Sequence, residues 1–356
     1  MTVPKIHIIY EYGNDLRPHA SSYIRLLRPL THPALGDPLP FEISRSHYYH
    51  GQPVDAVIVD RLWRPDIQPK LAHELTAAIR KAGARLIYAI DDNLLDLVNE
   101  RGDWPTGRHI EVMLHWLHEA DAVWVTTLPL KKRLEEFNPR ILVIPNQLDE
   151  RMLSGGLRRT AISPFESTHQ IKIGYMGTLT HNDDLRTVLP ALQRLWERHS
   201  SRIEFQFVGV ADSSTIQKTF ADIPVRLLNP NLEEQEYPLF QFWFSNHVAW
   251  HIAISPLRDT LFTRCKSDIK FLDYCAIGAA GIYSNVNAYR STVQHGQTGL
   301  LVENDPHAWE SALEQLLDDQ LREQIAYNAN RYLYTQRTLA QQANQWLEAV
   351  HFSLNT

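Results

Sequence analysis

The residues from Arg264 to Gly278 carry the strongest chemical signal in the sequence. At about 100° per residue, Lys266, Lys270 and Asp273 would fall within roughly 60° of one another on a helix. Two ammonium groups beside the positive end of a helix dipole favour a bound anion between them. The spacing therefore predicts a pyrophosphate site, with Asp273 accepting hydrogen bonds from two ribose hydroxyls. A solvated charged face is the alternative interpretation.

A second anion-binding candidate begins at Gly174, where a predicted strand runs into an amphipathic helix. Gly177 lets the backbone approach a ligand closely, and Thr178 offers an N–H and a hydroxyl to a phosphate. This candidate lies in the same predicted domain as the Lys266 helix.

Asp91 and Asp92 directly follow the strand-like run Leu86–Ile90. Adjacent carboxylates at the end of a strand could act as a base, as an electrostatic stabiliser or as acceptors for sugar hydroxyls. A metal site and a cap for the next segment are the alternatives. His109 and Arg61 are further candidates in the same half of the chain.

The composition is that of a globular protein, with 44% hydrophobic and 21% charged residues in 356 positions. The formal net charge of -6 gives no bulk attraction to nucleic acid or to anionic lipid. Two cysteines, Cys265 and Cys275, form neither a metal set nor a disulfide framework, and they indicate a reducing compartment. The sequence shows no secretory signal and no apolar run of about 18 residues. We therefore expect a cytoplasmic protein.

Short apolar runs alternate with helical periodicity throughout, which is typical of parallel sheets in α/β domains. A polar stretch without a clear period separates two such series and is predicted to be a linker. The expected organisation is two doubly wound domains at residues 1–150 and 170–335, a linker at 151–169 and a terminal helix at 336–356. We expect that helix to pack back on the first domain.

The order of several motifs resembles the retaining glycosyltransferases of the GT-B fold, specifically family 4, and the first half resembles a branch that acts in bacterial surface-polysaccharide assembly. These motifs are Gly174–Thr178 with His181 and Asp184-Leu185, Phe207–Gly209, Ser255–Leu257, Lys266–Tyr274 and His295–Val302, together with Ile90–Asp92, Ala120–Val123 and Ile144–Asn146 in the first half.

The resemblance implies two Rossmann-like domains that face each other across a cleft, with the nucleotide sugar on the second domain and the acceptor on the first. It also implies that no metal and no cofactor is required, because lysines, arginines and helix N-termini neutralise the leaving diphosphate. The expected roles are diphosphate binding for Arg264, Lys266 and Lys270 with Gly177 and Thr178, ribose binding for Asp273, and catalysis for Asp91, Asp92 and His109.

Two positions depart from the family pattern of two glutamates eight residues apart. Cys265 stands where the first glutamate would contact the donor sugar, so the sequence does not predict which sugar is used. Cys265 and Ser267 are nevertheless expected near that sugar. Asp273 stands at the second position and is one methylene shorter.

The predicted function is sugar transfer from a nucleotide sugar to a glycan or lipid-linked acceptor with retention, in polysaccharide or glycoconjugate synthesis. Membrane contact should be at most peripheral. A nucleotide-sugar epimerase and a non-catalytic partner of the same fold are the alternatives. A dehydrogenase is disfavoured because no G-x-G-x-x-G follows a strand, and a periplasmic binding protein is disfavoured because it requires export.

Overall fold

A computed structural model describes residues 3–100, 104–157, 170–177, 182–209 and 220–355. Its contacts divide the chain into two compact units. The first unit comprises residues 1–149, 260–267 and 339–356, and the second comprises residues 150–259 and 268–338. The short segment 260–267 therefore belongs to the first unit although it comes late in the sequence.

The first unit is built on a six-stranded sheet in the order β2-β1-β3-β4-β5-β6, in which every neighbouring pair is parallel. The strands are β1 (Lys5–Ile9), β2 (Glu42–Ser46), β3 (Ala56–Asp60), β4 (Arg85–Ala89), β5 (Ala122–Val125) and β6 (Ile141–Val143). Alternate residues of the central strands enter two separate hydrophobic clusters, which shows that both faces of the sheet are covered.

Helices follow most strands of the first unit. They are α1 (Ala20–Ser22), which continues into a π turn at Tyr23–Leu27, α2 (Pro69–Lys81), α3 (Leu94–Glu100), α4 (Gly107–Glu119) and α5 (Leu128–Leu134). The end of the chain adds two further helices, α12 (Leu339–Gln342) and α13 (Asn344–Asn355). Trp346 of α13 is buried and donates its indole N–H to the Arg25 carbonyl at 2.6 Å, so this segment completes one face of the first sheet.

The second unit contains a six-stranded parallel sheet in the order β12-β11-β10-β7-β8-β9. The strands are β7 (Ile171–Met176), β8 (Ile203–Val208), β9 (Val225–Leu228), β10 (Ile252–Ser255), β11 (Ala280–Ser284) and β12 (Leu300–Val302). Gly174 is required in β7 because a Cβ there would lie 1.8 Å from the buried Trp250 ring.

The described helices of the second unit are α6 (Asn182–His199), α7 (Tyr237–His247), α8 (Ile269–Ile277), α9 (Asn287–Arg290), α10 (Pro306–Gln315) and α11 (Asp319–Gln336). Asp305 caps α10 as the Asp-Pro pair predicts, and its side chain accepts hydrogen bonds from the N–H groups of His307 and Ala308. Both units therefore have the doubly wound α/β architecture that the alternating pattern predicts.

Strand order reverses once in each sheet, between β1 and β3 in the first and between β7 and β10 in the second. Ligands of doubly wound sheets bind outside the carboxyl ends of the strands at such reversals. Among the helices in the described ranges, none has the length and apolar character needed to cross a membrane.

Candidate functional site

Arg61 directly follows β3 and contacts residues that follow β1 and β4, at the reversal of the first sheet. Its Nε lies 3.0 Å from Glu11 Oε2, just beyond β1, and its Nη1 lies 3.3 Å from Asp91 Oδ1, beyond β4. Asp92 Oδ2 is 3.8 Å from the same Nη1. One guanidinium therefore gathers three carboxylates that approach from two different strands.

Glu11 is the most enclosed of these carboxylates, with a side chain that is 8% exposed. Burial alone would raise the pKa of Glu11, but the Arg61 charge and the hydrogen bond to His19 outweigh it and lower the pKa. That hydrogen bond, 3.2 Å to His19 Nδ1, raises the pKa of His19. Glu11 is thus held ionised in a buried position.

A second layer of polar groups lies beneath this cluster. Asp60, the last residue of β3, is fully buried, accepts a hydrogen bond from Ser22 Oγ and lies 3.9 Å from Arg25 Nη1. Burial raises the pKa of Asp60 to about 6, against the opposing charge of Arg25. Ser22, Arg25 and Asp60 thus form a buried polar group at the end of β3.

Lys266 belongs to this first-unit cluster, since its Nζ donates to Asp92 Oδ1 at 3.2 Å and lies 4.5 Å from the centre of the Phe262 ring. The prediction that Lys266 shares a helical face with Lys270 and Asp273 is wrong. Helix α8 begins at Ile269, and Lys266 is extended with φ -67° and ψ 151°. Segment 260–267 instead belongs to the first unit, and the ammonium of Lys266 therefore lies next to Asp92.

The neighbours of Lys266 lie in the same segment. Cys265 is 4% exposed within the first hydrophobic cluster, and its Sγ accepts from Asn93 Nδ2 at 3.6 Å. Burial raises the pKa of the Cys265 thiol to about 11. Ser267 Oγ accepts from Asn146 Nδ2 at 2.9 Å, and the side chain of Arg264 is exposed.

His109 is placed by a helix cap. Its Nδ1 accepts hydrogen bonds from the Thr106 N–H at 3.0 Å and from the Thr106 hydroxyl at 2.9 Å, at the start of α4. Burial and the charge of Arg108 lower the pKa of His109. With Nδ1 occupied as an acceptor, the neutral ring carries its proton on Nε2.

Lys270 lies at the reversal of the second sheet, in the first turn of α8, with its Nζ 4.9 Å from the centre of the Tyr175 ring. Gly177 directly follows β7, and a Cβ on it would lie 2.3 Å from the Tyr175 hydroxyl. A Cβ on Gly209, whose φ is +71°, would lie 3.0 Å from the Gly177 carbonyl oxygen. Gly177 thus leaves room for the Tyr175 side chain, whose ring also lies under the Lys270 ammonium at the start of α8. Thr178 and His181 fall outside the described residues.

Asp273 lies one turn beyond Lys270 and is 6% exposed. Burial raises the pKa of Asp273 to about 7, opposed by the nearby Gln241 amide and by the charge of Lys270. Among the described residues, none forms a hydrogen bond with Asp273 Oδ1. The carboxyl is thus a buried group that gains or loses its proton close to neutral pH.

The structure gathers the predicted site residues into two groups. Asp91, Asp92 and Lys266 lie together in the first unit, with Cys265 and Ser267 flanking the lysine, whereas Gly177, Lys270 and Asp273 lie in the second. Sequence reasoning missed Glu11, Asp60, Ser22, Arg25 and Gln241. The test that found Asp91, a polar residue at a strand's carboxyl end, would also have found Glu11 and Asp60.

Residues 170–319 match the family described as "Glycosyl transferases group 1". No curated protein sequence matches the chain significantly. Among solved structures, HepE from Anabaena in complex with UDP and glucose is similar with a TM-score of 0.65 and 13% identity, over 98% of this chain and 99% of that one.

Two further structures are similar in fold. A glycosyltransferase from Rickettsia africae has a TM-score of 0.63 and 12% identity, over 100% of both chains. Sucrose-phosphate synthase from Thermosynechococcus elongatus has a TM-score of 0.60 and 14% identity, over 84% of this chain and 74% of that one. The predicted GT-B class, with two doubly wound α/β units, is confirmed. The family match and the shared fold support a glycosyltransferase.

Proposed function

We propose that the protein transfers a sugar from a nucleoside-diphosphate sugar to a glycan or lipid-linked acceptor, with retention of the anomeric configuration, in polysaccharide or glycoconjugate synthesis. The observation that carries the proposal is Lys270. Its ammonium lies over the Tyr175 ring at a sheet reversal and in the first turn of α8, and the same Tyr175 side chain packs against Gly177. A diphosphate is the ligand class that this arrangement suits.

The donor is proposed to bind the second unit through its nucleotide. Lys270 and the Gly177 backbone would meet the diphosphate, and Asp273 would accept from the ribose hydroxyls once a ligand keeps it ionised. HepE, which shares the fold, binds UDP and glucose, so UDP-sugars are the first donors to test. Arg264 and Lys266 remain predicted diphosphate ligands, and Cys265 and Ser267 remain predicted neighbours of the donor sugar.

The acceptor is proposed to meet the first unit at the strand ends. Asp91 and Asp92 present carboxylate oxygens that can accept from sugar hydroxyls, and His109 can donate from Nε2. The diphosphate leaves with a charge that lysine, arginine and a helix N-terminus can stabilise without a metal. We therefore expect transfer to continue in the presence of EDTA.

A thermal-shift series with UDP, GDP, ADP and their hexose conjugates tests the donor site, because a ligand that binds the folded state raises the melting temperature. We expect one nucleotide to protect the wild type and Lys270→Met to lose that protection. Lys172→Met, near the amino end of β7, is the matched control and should keep it. Equal protection of Lys270→Met and the wild type would remove the assignment of Lys270.

Product analysis with the donor found in this way tests the reaction class. Retention predicts a product whose anomeric proton coupling by NMR matches that of the donor. An isomerised nucleotide sugar with no lengthened acceptor would establish the epimerase alternative instead. Donor binding without turnover against a panel of glycan and lipid-linked acceptors would favour a non-catalytic role.

A further inference from the structure

We propose that Arg61 is a positioning residue that fixes the ammonium of Lys266 through Asp92, with Glu11 as its anchor. The inference rests on the proposed function, in which Lys266 is a diphosphate ligand. Each contact in this chain of ion pairs lies within the first unit. Arg61 itself is assigned no contact with substrate.

The anchor is the pair between Arg61 and Glu11. Glu11 is buried and held ionised, and its Oε2 lies 3.0 Å from Arg61 Nε. The guanidinium is planar, so fixing Nε also fixes the direction of Nη1. Nη1 then lies 3.3 Å from Asp91 Oδ1 and 3.8 Å from Asp92 Oδ2, within ion-pair distance of both carboxylates.

The backbone of Arg61 is constrained as well. Its φ is +47°, in the left-handed region that residues other than glycine seldom occupy. Its N–H donates to the Ala89 carbonyl at 2.8 Å, which ties the end of β3 to the end of β4. Such a conformation persists only where the surroundings impose it, and it aims the side chain at the strand end that carries Asp91 and Asp92.

Asp92 links Arg61 to Lys266, because each of its two carboxylate oxygens lies next to a different cation. Oδ2 faces Arg61, and Oδ1 accepts from Lys266 Nζ at 3.2 Å. A lysine has a flexible stem and loses much rotamer freedom when it is held in place. A fixed carboxylate reduces the number of positions that the ammonium samples before a diphosphate arrives, which favours binding.

The test measures the dissociation constant of the nucleoside diphosphate that protects the wild type, by isothermal titration calorimetry. The variants are Arg61→Ala, Lys266→Met, the double variant and the conservative Arg61→Lys. We expect Arg61→Ala to weaken binding by roughly threefold to thirtyfold, which corresponds to an ordinary coupling between neighbouring residues. In the double variant we expect no loss beyond that of Lys266→Met, and we expect partial rescue by Arg61→Lys.

Arg64→Ala is the matched control, since Arg64 lies in the same loop but pairs with Asp66, at 2.6 Å. It should bind like the wild type. If circular dichroism shows that Arg61→Ala is unfolded, Glu11→Gln replaces it, because this change removes the charge of the anchor and keeps its shape. Glu11→Gln should weaken binding of the nucleotide, and it should cause no further loss when combined with Lys266→Met. That result would support the same role for Arg61.

Additive losses in the double variant would overturn the inference, because Arg61 would then act independently of Lys266. Unchanged affinity in Lys266→Met would overturn it too, while the Lys270 assignment and the proposed function would still stand on their own tests. If the wild type binds none of UDP, GDP and ADP, both this inference and the proposed function are overturned.

Discussion

Asp268 accepts two parallel hydrogen bonds from the Arg337 guanidinium, at 2.7 Å from Nη1 and 3.1 Å from Nη2. Asp268 immediately precedes α8 and Arg337 immediately follows α11. Burial disfavours the charge on Arg337, but Asp268 outweighs that effect and raises its pKa. The pair fixes the start of the helix that carries Lys270.

Breaking this pair should destabilise the second unit. Arg337→Met leaves Asp268 buried without its counter-charge, at an expected cost of about 3 kcal/mol, and Arg337→Lys should restore only part because it cannot form the two-pronged contact. Urea denaturation measures the free energy of unfolding of both variants. Arg331→Met, at an exposed position of α11, should unfold like the wild type, and equal stability of all three variants would contradict the assigned role.

Asp273 should make stability fall as the pH rises. Its folded pKa of about 7 lies above the ordinary 3.8, so its favourable contribution is complete below pH 3.8 and is lost as the pH approaches and passes 7. Asp273→Asn should therefore be more stable than the wild type at pH 8, by at most about 4 kcal/mol, and similar to it near pH 4. Melting temperatures measured across this pH range test the prediction, with the exposed Asp222→Asn as control. A difference between Asp273→Asn and the wild type that stays constant with pH would contradict it.

The His19–Glu11 pair should stabilise the protein in a different pH range. The raised pKa of His19 gives stability that is complete below 6.5 and lost as the pH rises through the folded value, whereas the lowered pKa of Glu11 gives stability that is lost as the pH falls below 4.5. His19→Gln should thus lower the melting temperature most between about pH 4.5 and 6.5. Exposed His351→Gln is the control, and a deficit that persists unchanged at pH 9 would count against the pair.

Gly174→Ala should disrupt the sheet that places Gly177. The added Cβ would meet the Trp250 ring at 1.8 Å, and neither the central strand nor the buried indole has room to move. Overpacking of this kind costs about 1–3 kcal/mol or more. Gly107→Ala, where a Cβ meets nothing within 4 Å, should be neutral in the same denaturation assay. A native-like Gly174→Ala would show that the strand can shift.

Cys265 should be chemically inert in the folded protein. Its pKa of about 11 leaves little thiolate at pH 8, and the side chain is buried, as is Cys275. Iodoacetamide should label neither cysteine until urea unfolds the chain, which mass spectrometry can follow. Rapid modification of Cys265 in the native protein would place it at an accessible site instead.

The sequence determined most of the local structure. Short apolar runs correspond to strands such as Ala122–Val125, Ile171–Met176 and Ile203–Val208, and helical periodicity corresponds to the helix Pro69–Lys81, because both patterns record burial directly. Strand β2 was not predicted. Its Glu42–Ser46 is largely polar, and it is a strand because it pairs with β1 at the sheet edge.

The sequence also predicted which strand ends and which helix carry chemical groups, since their residue types can be read one position at a time. Only the tertiary structure decided which groups meet. Glu11, Arg61 and Asp92 are distant along the chain, and parallel pairing brings their strand ends together. Lys266 was expected on a helix with Lys270, four residues on, yet segment 260–267 packs against the first unit and its ammonium pairs with Asp92. Local spacing could not reveal that contact, because it depends on long-range packing.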